Sequence, residues 1–134
     1  MLSHMPSTVS VEAITLWLVV LTLKHLTADF LLQNDWMANG KDARTGWALP
    51  LTAHCAIHGA LTTILVTALQ PKLWFLGAID FAVHFAIDRT KGIIVSTWRI
   101  GPQHRLFWWT IGADQALHQL TNCAFALILA ASYA

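Results

Sequence analysis

The chain has 134 residues, of which 56% are hydrophobic and 11% charged, with a formal net charge of +1. A soluble domain carries about 25% charged residues, so this composition argues against a soluble globular protein. The net charge says nothing about nucleic acid, but no basic run is long enough to be a phosphate-binding arm. Seven Trp and six Phe add to the expectation of a one-domain integral membrane protein.

Residues 1–10, including His4, read as a flexible N-terminal tail with no basic segment of a secretory signal ahead of Val11. A membrane-crossing helix takes roughly 20 apolar residues, and four stretches qualify: about 11–32, 47–69, 71–90 and 106–132. Polar NDWMANGKDARTG separates the first two. Gln70-Pro71-Lys72 turns the chain into the third, with Pro71 suited to a helix start. Residues 91–105 form the longest connection, and IIVSTWRI within it is expected to lie along the membrane interface. Trp36, Trp47, Trp74, Trp98, Trp108 and Trp109 fall near span ends, where indole rings favour the interface. Cys55 and Cys123 lie in apolar stretches and read as small buried residues.

The expected fold is an all-α, up-down four-helix membrane bundle over 11–134, with both termini on one side. Lys41, Arg44, Arg89, Lys91, Arg99 and Arg105 flank one side, against Lys72 alone on the other. The positive-inside rule puts the basic loops in the cytoplasm and the termini in the periplasm of a bacterial inner membrane.

Every span carries ionisable residues at a spacing of four: His25 and Asp29, His54 and His58, Asp80, His84 and Asp88, then Asp114 and His118. That spacing sets side chains on one helix face. The pairs lie late in the odd spans and early in the even ones, so antiparallel packing brings them to one level, in the cytoplasmic half. An Asp at mid-membrane costs about 2.5–3.5 kcal/mol, so four cost roughly 10–14, comparable with a whole domain's stability of about 5–15 kcal/mol. A bound divalent cation can offset this, since structural zinc contributes about 10–16 kcal/mol in small peptides.

Five imidazoles and four carboxylates exceed one tetrahedral site and suit one or two ions. Zinc is expected first, with iron or manganese as other candidates. His25, Asp29, His54, His58, Asp80, His84 and His118 are the expected ligands. Asp114 and Asp88 are the expected catalytic carboxylates, although Asp88 beside Arg89 also reads as an ordinary ion pair near water. Lys24 is expected to face away and snorkel. Arg89 and Lys91 read chiefly as topology markers at the cytoplasmic mouth. Gln33, Gln115 and Gln119 read as substrate or interhelical contacts, and Gly59 and Gly112 as points of close helix approach.

KHLTADFLLQNDWMA (24–38), His54-x-x-x-His58-Gly59, His84-x-x-Ile-Asp88-Arg89-x-Lys91 and Asp114-Gln115-x-x-His118 resemble the motifs of a family of small bacterial and phage membrane proteins known only as a domain of unknown function. The resemblance covers nearly all of the chain after residue 15. It implies a four-helix membrane protein with paired sites, and no activity. A looser likeness, to LexA-regulated inner-membrane proteins regarded as metal-dependent hydrolases, implies hydrolysis.

The expected function is a membrane-embedded metal-dependent hydrolase acting on a lipid or lipid-linked ester, amide or phosphoester. Its partners would be the bilayer and that substrate, without nucleic acid, and a homodimer would help seal four short helices. The alternatives are a divalent metal-ion or proton transporter, a non-heme di-iron oxidase, and a metal-free polar network. Against transport, the far halves of the spans offer a few Thr but no carboxylate or His.

Overall fold

Residues 8–133 are described by a computed structural model; most of the expected tail, with His4, lies outside them. The described chain is helical, without strands. Helix α1 (Val11–Leu26) starts where Ser10 Oγ accepts from the Ala13 amide at 3.2 Å, with Glu12 in the first turn, as the positive end of a helix favours. It runs on into a π-helical turn, Thr27–Leu32. Helix α2 (Asp35–Gly40) is short, and Asn34 caps it by accepting from the Met37 amide at 3.0 Å. The sequence reading had only a polar loop there.

Helix α3 (Ala48–Leu69) ends at Gln70-Pro71, and a 3-10 turn, Pro71–Leu73, leads to α4 (Leu76–Trp98). The expected third span, 71–90, is therefore displaced toward the C-terminus. IIVSTWRI does not form a separate interfacial segment: α4 continues through it to Trp98. The residues after Arg89 read TKGIIVSTW, without a proline, and nothing in that run breaks the helix until Arg99. There the backbone turns left-handed (φ 51°) and closes the helix. Helix α5 (Arg105–Ala131) is the longest, and Trp108 Nε1 donates to the Pro102 carbonyl at 2.8 Å across its entry turn.

Helix α3 packs on α4, α4 on α5, α5 on α1, and α1 on α3, while α2 leans on α3. One end of this arrangement is dry. Trp17, Leu21, Val66, Leu76, Phe125, Leu129 and their neighbours form the apolar core there. The other end buries Lys24, His54, His58, Asp80, His84, Asp88, Asp114 and His118. Two helices among the described residues, Val11–Leu32 and Ala48–Leu69, are long and apolar enough to cross a membrane.

Close approach of α3 and α4 depends on glycine. A Cβ on Gly77 would collide with Thr63 Oγ1 and the Gly59 carbonyl, and one on Gly59 would come within 2.9 Å of the Gly77 carbonyl. Gly112 has open space and does not mark a contact, contrary to the sequence reading. An Ala normally stabilises a helix interior over Gly by about 1 kcal/mol. Gly77→Ala should instead destabilise by about 1–3 kcal/mol, the usual cost of overpacking, read as a lower unfolding midpoint in detergent. An unchanged midpoint would show that the two helices can part freely.

Candidate metal centre

The π turn brings Asp29 to face the imidazoles of α1 and α3. His58 Nε2 donates to Asp29 Oδ1 at 3.0 Å, and His54 Nε2 lies 3.5 Å from the same oxygen. His25 Nε2 lies 3.1 Å from Asp29 Oδ2 but off the line of a hydrogen bond. Across from them, the His84 ring is stacked between His58 (3.7 Å between centroids) and His118 (3.8 Å). His25 stands 5.1–5.3 Å from the rings of His58, His84 and His118. All five expected imidazoles thus converge.

Two groups of donor atoms are compact enough for an ion, each with its atoms within 4.8 Å of one another: Asp29, His54, His58 and His84, and separately His84, Asp88 and His118. His84 Nδ1 faces Asp80 Oδ1 at 3.7 Å, which leaves its buried Nε2 without a partner. An imidazole held by a carboxylate on one nitrogen and bare on the other is the usual arrangement of a metal ligand. His54 and His58 lack such support, as their Nδ1 atoms are buried and unpartnered.

Asp80, expected as a ligand, belongs to neither group. Lys24 Nζ donates to its Oδ2 at 2.8 Å, and Thr62 Oγ1 donates to the same oxygen at 2.5 Å. Lys24 therefore does not snorkel away from the cluster. It is 5% exposed and reaches Asp80 from the adjoining face along its flexible stem.

Asp88 is likewise misplaced by the sequence reading. It is 1% exposed and has no ion pair with Arg89, whose guanidinium lies 3.7 Å over the Trp47 ring. Instead Asp88 Oδ1 accepts from His118 Nε2 at 3.0 Å, and Oδ2 accepts from Lys41 Nζ at 3.1 Å with His54 Nε2 3.3 Å away. The i, i+4 stripe of α4 keeps Asp88 inward, whereas Arg89 is rotated outward by one residue.

Lys91 does not stand free at the mouth. It is buried between Asp42 (3.6 Å) and Asp114 (3.8 Å). Burial pushes the loop carboxyl of Asp42 above the usual range, and Lys91 and Lys41 pull against that. Asp114 is buried with Oδ1 unpartnered, 3.6 Å from His118 Nε2.

Among the polar side chains of weaker signal, Gln33 bonds the Asp29 carbonyl at 3.1 Å, Gln115 bonds Asp114 at 3.1 Å, and Gln119 bonds Thr22 on α1 at 3.3 Å. Buried Lys41 and Asn122 were missed from sequence. Cys55 is buried as expected, Cys123 only partly so.

The three buried lysines divide the carboxylates unequally. Lys24 neutralises Asp80, Lys41 neutralises Asp88, and Lys91 stands between Asp42 and Asp114. Asp29 has no lysine among its recorded partners, which are three imidazoles. A half-buried carboxylate facing only imidazoles favours a cation or protonated rings beside it, and the donor set of one carboxylate with three imidazoles fits a zinc-like ion.

Fold and cluster together define an all-α protein with a His/Asp/Lys constellation in its interior, within which two groups of donor atoms could hold a metal ion. The chain belongs to the family described as "Protein of unknown function (DUF3307)", whose model matches residues 17–133. No curated protein and no solved structure matches it.

Proposed function

We propose that the protein is a multi-pass, up-down membrane bundle of the bacterial inner membrane, holding a divalent ion, zinc by preference, for hydrolysis of a lipid or lipid-linked substrate. The membrane reading is supported by an inverted distribution of side chains. Charged and imidazole groups fill the interior, while Leu16, Leu23, Phe30, Leu31, Ile64 and Leu120 are all more than half exposed. In water such a surface invites aggregation, whereas lipid covers it without cost. The exposed Trp36, Trp74, Trp98, Trp108 and Trp109 suit the two interfaces.

The observation that carries the metal reading is Asp29, faced by imidazoles alone. Asp29, His54, His58 and His84 would hold the ion, with His25 beside them. When bound, such an ion lowers the pKa of a bound water and polarises a carbonyl or phosphoryl oxygen. Both Asp88 oxygens accept hydrogen bonds, whereas Asp114 Oδ1 accepts none, with His118 and Lys91 no nearer than 3.6 Å, so Asp114 is the better proton acceptor. It also lines a cavity of about 500 Å³ between α4 and α5, walled by Ala86, Ile87, Ile94, Trp109 and Leu117, with Lys91. An apolar groove ending at a carboxylate and an ammonium suits a lipid chain with a polar head. The apolar core at the far end opposes transport through one chain.

Purified protein in detergent, loaded with zinc and freed of excess, is expected to retain the metal and lose it in His84→Ala, by elemental analysis. The loaded protein should cleave one of a panel of ester, amide and phosphoester lipids. Asp114→Asn should lower kcat by at least about 100-fold, the lower bound for a general base. Retained metal without turnover on any substrate class would overturn hydrolysis. Retained iron with visible absorption would favour the oxidase.

A further inference from the structure

We propose that Lys41 is a tethered cation occupying the position of a second metal ion, and that the centre is therefore mononuclear. This rests on the metal reading above. The second donor group, His84, Asp88 and His118, is as compact and as buried as a metal site requires. Yet Lys41 Nζ already sits 3.1 Å from Asp88 Oδ2 and 3.1 Å from His54 Nε2. An ammonium has no lone pair, so His54 must accept. Lys41 thus takes an oxygen of Asp88, the carboxylate of the second group, and the lone pair of His54, a donor of the first.

The backbone holds it there. The Lys41 amide bonds the Met37 carbonyl at 3.0 Å and closes α2. The loop then lies flat on α4 at Gly92, where a Cβ would stand 3.2 Å from Asp42 Cα and 3.3 Å from the Lys41 carbonyl. Any side chain at 92 would press on the loop that carries the ammonium.

Charge divides the cluster the same way. The half with Asp88 and Asp114 has its cations built in, as Lys41 and Lys91. The half with Asp29 has no lysine among its partners. His84 belongs to both donor groups, and with Nδ1 turned to Asp80 it has one nitrogen to give, so a second ion would rest on Asp88 and His118, beside Lys41. An ion held by Asp29, His54, His58 and His84 would take the His54 lone pair from Lys41 and leave the ammonium on Asp88.

The test counts ions on the full-length protein in detergent, saturated with Zn2+ and desalted, for wild type, Lys41→Arg, Lys41→Met and Lys41→Gln. Helical circular dichroism and elution position check folding. The expected result is one ion per chain in wild type and Lys41→Arg, and two in Lys41→Met and Lys41→Gln. With Mn2+ in place of Zn2+, the isolated-ion magnetic resonance signal should weaken in the two neutral variants as the ions couple. Two ions in wild type would overturn the inference even if no variant folds. One ion in all four proteins would overturn it and leave the metal reading intact. No ion in any of them would overturn both.

Discussion

Asp29→Asn should lower the affinity for a divalent ion by more than about 100-fold, beyond the 10–100-fold that partners outside the coordination sphere contribute. The amide has nearly the carboxylate's shape, so packing at the π turn survives while the charge is lost. His25, His54 and His58 then face a neutral oxygen, and no other cluster carboxylate can replace Asp29, because Asp80, Asp88 and Asp114 each have a lysine nearby. Asp80→Asn is the contrasting variant. It removes the charge that faces His84 and Lys24 but no ligand atom, and should weaken binding within the 10–100-fold range while lowering stability. Competition against a chelator of known affinity measures both. Equal losses in the two variants would mean that Asp29 has no special role.

Lys24→Met should be the most destabilising single change. It leaves the Asp80 carboxylate buried with Thr62 as its hydrogen-bonding partner, and breaking one side of a buried pair costs about 3–5 kcal/mol. Removing both charges, in Lys24→Met with Asp80→Leu, should recover most of that loss, because apolar replacements of a buried pair are often neutral or stabilising. Equilibrium unfolding in mixed micelles reads the difference. If Lys24→Met unfolds at the wild-type midpoint, the ammonium is not the partner of Asp80 and the division of charge described above is wrong.

Much of the architecture was legible because few forces act on such a chain. Apolar runs between Gly, Pro and polar breakers marked the helices, and α1 with its π turn ends at Leu32 as expected. The convergence of His25, His54, His58, His84 and His118 followed from spacing and depth. What escaped was the lysines. A helical wheel places Lys24 one residue away from His25 and so on another face, but its long stem crosses that angle to reach Asp80. A usable signal was present: an ammonium inside a span needs a carboxylate at its own depth. Lys41 gave no comparable signal, since a loop residue's reach is set by how the loop folds back. Orientation is affected as well. With Lys41 and Lys91 turned into the cluster, the positive-inside argument rests on Arg44, Arg89, Arg99 and Arg105 against Lys72, a narrower margin with the same sign.

The widened last turn of the first helix has a mechanical consequence. A π turn holds one residue more per hydrogen-bonded ring than an α turn, so Thr27–Leu32 is a small store of slack. Winding it tight would swing the Asp29 carboxylate around the axis and pull one jaw of the grip off its cargo, while α3, α4 and α5 stay still. A single-residue deletion of Leu31 would force that rewinding, and should release the bound ion while leaving the helical content almost unchanged.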